Sequence, residues 1–157
     1  GPVGMRVAGL LGRLGARVTI TSRDGARAKA AAARIADRFG VRPGAVVLSD
    51  SSDAPIAEAE LMIAAGPAGT RLVSRRVWTS HPGLRVIADV NAVPPGGIEG
   101  VEPADDGVDR EGGVRAYGAL AIGGLKMKLH KACIAELFER NDRVLDAEAI
   151  YDLAADL

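Results

Sequence analysis

Strand-like and helix-like patterns alternate along the first 90 residues, and that alternation leaves few folds open to the chain. Short β-branched or apolar runs stand at Ala16 to Thr21, Val46 to Leu48, Leu61 to Ala65 and Val86 to Val90. Before the first run, Val3, Val7, Leu10, Leu11 and Leu14 recur at roughly helical spacing, with Pro2 in the first turn and Gly15 as the stop. Asp24 reads as the N-cap of an Ala-rich helix over 25–39, closed by Gly40. Shorter helices are expected over 52–59 and 70–78. Strands separated by helices form a parallel sheet with right-handed crossovers. Residues 91–115, rich in Pro, Gly and acids, read as a long functional loop, followed by helices over 119–139 and 146–155, the second capped by Asp146.

A chain of 157 residues fits one domain. Hydrophobic residues make up 48% but aromatics only 3%, so the core must be built from Ala, Val, Leu and Ile. Twenty basic residues (Lys+Arg 20) balance twenty acidic ones (Asp+Glu 20), which leaves no net field to recruit nucleic acid or an acidic membrane. No apolar run approaches the roughly 20 residues of a membrane helix, and the opening Gly-Pro does not read as a secretory signal. Cys133 is the single cysteine, which excludes an internal disulfide and a thiolate metal cluster. A cytoplasmic protein without metal is expected.

The opening Gly1-Pro2-Val3-Gly4 matches the last four positions of the G-x-G-x-x-G loop that joins the first strand and helix of a dinucleotide-binding fold. In that reading Gly1 lets the backbone approach a pyrophosphate, Gly4 lets the helix approach the sheet, and the free N–H groups of the first turn face the phosphates. A plain helix start is the bland alternative. Position favours the fingerprint, because the residue that reads the ribose is expected about 20 positions on. That place holds Thr21-Ser22-Arg23. An acid there would accept from the ribose hydroxyls of NAD, whereas Ser22 can donate and Arg23 can grip a 2′-phosphate, with Arg27 one turn further. The pattern favours NADP, with NAD as the alternative; Asp24 either caps its helix or faces the ribose. Gly66, Pro67 and Gly69 follow the third run, where the nicotinamide ribose would lie. The expected fold is therefore α/β, a Rossmann-like doubly wound parallel sheet whose first, central strand would precede residue 1. Without that strand two interior edges would stand unpaired, and the 157-residue chain alone is expected to fold poorly.

On the 119–139 helix, Lys128, Lys131 and Glu139 fall on the expected solvated side. Lys126 and His130, four residues apart, share a stripe with Cys133 and Leu137 that suggests a partly buried contact, or else a snorkelling surface pair. Gly123 and Gly124 just before it would let a ligand or backbone come close. Asp105, Asp106, Asp109 and Glu111 lack the spacing of a calcium loop and read as solvated.

The run GALAIGGLKMKLHKACIAELFE (Gly118 to Glu139), with ADVNAVPPGGIEG (Ala88 to Gly100), the opening GPVGMR and DAEAIYDLA near the end, resembles the methylene-tetrahydromethanopterin dehydrogenases of methylotrophic bacteria. The resemblance implies oxidation of the methylene carbon on a reduced pterin with NADP, or NAD in some members. The carbon lies between two nitrogens that stabilise the cation left by hydride loss, so no protein base is needed and the protein positions the two rings. Asp89 and Asn91 would end the fourth strand beside the cleft, and Lys126 and His130, the candidate catalytic pair, would orient the pterin. A homo-oligomer is expected for the complete protein. The resemblance also implies a separate pterin-binding domain, preceding residue 1, so this chain would be the partial cofactor domain. A stand-alone NADP-binding module without catalysis and a methylene-tetrahydrofolate dehydrogenase are the rival readings.

Overall fold

The computed structural model describes residues 1–47 and 58–155. Helix α1 (Pro2–Arg13) begins on a proline, whose missing N–H belongs to a turn that has no intrahelical partner anyway. It ends at Leu14 before Gly15, which turns the chain at φ 88°. Helix α2 (Gly25–Phe39) is capped by the Asp24 carboxylate, which accepts from the N–H groups of Ala26 and Arg27. Gly40 closes it in the left-handed conformation at φ 68°. Strand β1 (Thr19–Ser22) pairs in parallel with β2 (Gly44–Val47). A second sheet follows the order β3-β4-β6-β5, with β3 (Leu61–Ala64), β4 (Val86–Asp89) and β6 (Arg115–Tyr117) parallel and β5 (Asp106–Asp109) antiparallel to β6. The remaining helices are α3 (Arg75–Thr79), α4 (Ala119–Glu139) and α5 (Ala147–Ala154), the last capped by Asp146.

This is a Rossmann-like α/β fold. The β2-β1 pair and the β3-β4-β6 group correspond to the 3-2 and 4-5-6 portions of the doubly wound order, and no described strand of this chain stands between β1 and β3. Helix α1 connects the two groups. Its first residues lie beside the end of β3, where a Cβ at Gly4 would come 3.4 Å from the Ala65 Cβ. Further along, a Cβ at Gly9 would overlap the Phe39 ring, and one at Gly12 would stand 2.9 Å from Val41, so α1 meets the end of α2 through bare backbone. Close packing of α1 thus depends on Gly9 and Gly12, while Gly4 has room for a methyl group.

Three expectations need correction. The helix expected over 70–78 is shortened to Arg75–Thr79, because Val73 forms a parallel bridge with Ile98 and extended backbone wins. The 91–115 segment is not all loop; it holds β5, a 3-10 turn at Glu111–Gly113 and the start of β6. The first strand begins at Thr19 and not Ala16, since the chain is still leaving the Gly15 turn, and the second begins at Gly44. The helix expected over 52–59 lies mostly outside the described residues, and Glu58 and Ala59 are not helical.

The core sits on the second sheet. Met62, Ala64, Trp78, Leu84, Ile87, Ile98, Val101, Val114 and Ala116 form one buried cluster. Each large member contributes about 1.5–3 kcal/mol by leaving water. Trp78 also donates its indole N–H to the Glu99 carbonyl at 2.7 Å, so its polar edge is satisfied where it is buried.

Candidate functional site

Four chain segments reach the carboxyl ends of the parallel strands and the start of α1. Gly1 is the N-cap of α1 and supplies no side-chain cap, and the first turn carries no acid. The N–H groups of that turn are therefore free of side-chain partners, and no fixed negative charge stands among them.

At the end of β1, the Ser22 hydroxyl oxygen accepts from the Asp24 N–H at 3.1 Å, which leaves its proton available. One Asp24 oxygen accepts from Ala26 and Arg27 at 2.9 and 3.1 Å, and the other lies 3.4 Å from the Arg27 guanidinium. The acid that obscured cofactor choice in the sequence is thus occupied as a cap. Arg23 is exposed and forms no ion pair among the described residues. Gly25 brings the start of α2 against the end of β2, where an added Cβ would lie 2.9 Å from a Val47 methyl.

At the ends of β3 and β4 the chain makes two linked loops. Gly66 lies under Leu72, and the Asn91 amide donates to the Pro67 carbonyl at 3.5 Å. Asp89 is 2% exposed, and its two oxygens accept from the N–H groups of Asn91 and Ile98, both at 2.9 Å. A Cβ on Gly96 or Gly97 would crowd that carboxylate at 3.1 Å. Asp89 therefore folds the Pro94-Pro95 loop, which contains a cis bond, back onto the sheet, and the Gly97 carbonyl then accepts from Leu72 and Val73. Its charge is met by backbone donors, and it acts on the loop more than on open solvent.

A cavity of about 180 Å³ opens beside this loop, lined among others by Arg71, Asp89, Asn91, Glu99 and the Gly118–Ala119 start of α4. Glu99 accepts from Arg71 at 3.1 Å and from the Arg75 N–H at 2.9 Å. Arg75 also hydrogen-bonds Glu111, which holds the Glu111 carboxyl below its ordinary range. Asp105 does not line the cavity but supports the Glu102–Pro103 part of its lining: it is 5% exposed, grips Arg110 with both oxygens and accepts from the Glu102 N–H. Its carbonyl accepts from the Gly118 N–H at 2.8 Å. A Cβ on Gly118 would overlap the carbonyl oxygens of Glu102 and Pro103, so glycine is required there.

Sequence reasoning missed the burial of Asp105. Asp105 is not a solvated loop acid, being buried with Arg110, whereas Glu111 pairs with Arg75 at the surface and stays exposed as expected. Only their spacing to Arg110 and the apolar Val108 and Val114 around the Gly112-Gly113 turn hinted at a hairpin.

The structure brings Gly66, Asp89 and Asn91 together but leaves Lys126 and His130 apart from them. Both are exposed, and neither lines the cavity. They continue the stripe of Ala119, which does line it, with Lys126 seven residues on, about 10 Å along the axis. The expected partly buried stripe is corrected: Cys133 alone of that set is buried, and Leu137 is 44% exposed. Gly123 and Gly124 have nothing within 4 Å of an added Cβ. Each interior helix glycine costs about 1 kcal/mol against alanine, with no gain inside this domain. Among the described residues no cluster of His, Cys, Asp or Glu suits a metal, and no helix is long and apolar enough to cross a membrane.

No protein-family model matches the sequence. The chain is 45% identical over 147 residues to the bifunctional protein MdtA of Methylorubrum extorquens, covering 91% of this chain and 50% of that one. It is 34% identical over 158 residues to an NAD(P)-dependent methylenetetrahydromethanopterin dehydrogenase of the same organism, covering 96% of this chain and 53% of the relative. The chain thus spans about half the length of both. Among solved structures, the transhydrogenase of Sinorhizobium meliloti superposes with a TM-score of 0.59 at 29% identity, over 79% of this chain and 36% of that one.

Proposed function

This chain is a homologue of part of the methylotroph NAD(P)-dependent methylenetetrahydromethanopterin dehydrogenase, and from that premise we propose that it is the cofactor-binding part of an NADP-dependent enzyme oxidising a methylene group on a reduced pterin. One observation carries the reading. The uncapped start of α1, the Ser22–Arg23 turn and the linked Gly66–Pro67 and Asn91 loops form a series of open polar sites at the strand ends, where doubly wound sheets bind dinucleotides.

The residues fit such a cofactor. Gly1, Pro2, Val3 and Gly4 would hold the pyrophosphate on the first-turn N–H groups, with no acid to oppose it. Ser22, Arg23 and Arg27 would hold a 2′-phosphate, while Asp24 caps α2 through one oxygen and faces Arg27 with the other. Gly66 and Asn91 would border the nicotinamide ribose, with Asp89 fixing the Asn91 loop from below. When bound, the nicotinamide supplies a hydride acceptor at its C4. The nitrogens flanking the methylene carbon stabilise the resulting cation, so the side chains need only orient and keep water out. Lys126 and His130 are assigned to orient the pterin, Lys126 through a pterin carbonyl, because a bare ammonium beside a forming cation would oppose it. The complete protein is proposed to be a homo-oligomer.

The test is turnover by the full polypeptide encoded with this chain. Methylene-tetrahydromethanopterin should be oxidised with reduction of NADP, and methylene-tetrahydrofolate serves as the competing substrate. Absence of NADP or NAD reduction with either substrate contradicts the proposal.

A further inference from the structure

The chain is neutral in sum but divided in charge. Residues 1–47 hold nine Lys and Arg against two acids, Asp24 and Asp37, whereas residues 58–155 hold eleven against fifteen Asp and Glu. Ion pairing divides in the same way. From residue 58 on, Arg76 is the one arginine without an ion pair among the described residues. In residues 1–47 Arg17, Arg27 and Arg38 are paired, while Arg6, Arg13, Arg23, Arg34 and Arg42 are exposed and form no ion pair among the described residues. The excess is carried largely by two helices that begin at the strand ends: α1 starts beside Ala65, just after β3, and α2 follows β1. Arg6 and Arg13 stand seven residues apart and so on one side of α1, as do Arg27 and Arg34 on α2. The N-terminal ends of both helices add positive potential of their own.

We propose that this basic third steers the cofactor to its seat, so that NADP is preferred over NAD in its rate of arrival as well as in its contacts. The inference rests on the NADP reading of the strand-end site. A 2′-phosphate adds about two negative charges to the dinucleotide, and a field of one sign raises association with the opposite charge by roughly ten- to a thousandfold. That added charge feels every cation of the third, touched or untouched. Arg13 lies about 16 Å along α1 from Pro2, and Arg34 about 13 Å along α2 from Gly25. Both are beyond hydrogen-bonding reach of a phosphate at either helix start, so substituting them changes the field and leaves the seat intact. Salt sets their reach. Charges act over about 30 Å at 0.01 M ionic strength and about 8 Å at 0.15 M, so this remote pair is felt at the first and nearly silent at the second.

Stopped-flow fluorescence of NADPH and NADH binding to the full-length polypeptide tests the steering. The association rate of NADPH should fall at least about threefold between about 0.01 M and about 0.15 M salt, and more steeply than that of NADH. The double variant Arg13→Gln/Arg34→Gln should slow the arrival of NADPH about threefold at the lower salt and hardly at the higher, with its dissociation rate unchanged. Equal salt slopes for the two cofactors in the native protein overturn the proposal, and that comparison needs no substitution. A variant that alters only the dissociation rate overturns it as well. NADPH that binds at a salt-independent rate removes the steering and leaves the NADP reading standing, whereas absence of NADPH binding removes both.

Discussion

The two halves of the sheet carry similar strands in different surroundings. In β4 alternate residues are buried, and Ile87 is fully enclosed, whereas β1 and β2 have no buried residue. Parallel strands in doubly wound folds are covered on both faces, so β1 and β2 are the exception. The second half is fastened by buried carboxylates and backbone overlap: Asp89 across the β4 loop, Asp105 with Arg110, and Gly118 against the 102–103 carbonyls. The first half relies on the α1–α2 contact and a surface cap. The lesson is one of division of labour. The half that would meet the nicotinamide is built rigid from within, while the half that would meet the adenosine end awaits further contacts, either from another segment beside β1 or from the ligand.

The comparison breaks most readily at Asp89. Replacing Asp89 by Ala leaves the N–H groups of Asn91 and Ile98 without their acceptor, and should cost about 2–5 kcal/mol in a denaturant titration. A loss below 1 kcal/mol would show that water replaces the carboxylate and that the loop is not held from within. Next in size is a matched pair of glycine substitutions. Gly118→Ala meets rigid backbone and should cost about 1–3 kcal/mol, while Gly25→Ala meets an exposed Val47 methyl that can turn aside, and should be near neutral. Equal losses would remove the contrast between the halves.

The smallest effect concerns the contact of α5 with α2. Arg38 donates to both Glu148 oxygens, at 3.3 and 3.0 Å, and holds the Glu148 carboxyl below its ordinary 4.5. A lowered carboxyl pKa stabilises the fold above the unfolded value, and the gain is lost as pH falls through the folded one. The melting temperature of the native protein should therefore fall more steeply below about pH 4.5 than that of Glu148→Gln, with the difference diminished by salt. Identical pH profiles would mean that the pair makes no net contribution.

Legibility followed the range of the interactions. Helices α2 and α4 were readable to the residue, because Asp24, Gly40 and the glycine before Ala119 act on their own neighbours. The third helix was misjudged because its first residues answer to Ile98, more than twenty positions away. β5 and β6 were hidden because Asp-Gly-Val-Asp has no apolar alternation to announce a strand. At the site, the Ser22–Arg23 turn was legible because it follows a strand at the fingerprint's spacing. The roles of Asp105 and Gly118 were not, since burial of a loop acid and an approach of two backbones leave no mark in local sequence.

The central proposal is that this chain reads the 2′-phosphate of NADP through Arg23, with one Asp24 oxygen held in the cap. Calorimetric titration of NADP and NAD into the full polypeptide and its Arg23→Ala variant tests it most directly. The account predicts tighter binding of NADP by the native protein, a loss of roughly 1–3 kcal/mol for NADP on substitution, and little change for NAD. Equal losses for both cofactors, or tighter binding of NAD by the native protein, would contradict it.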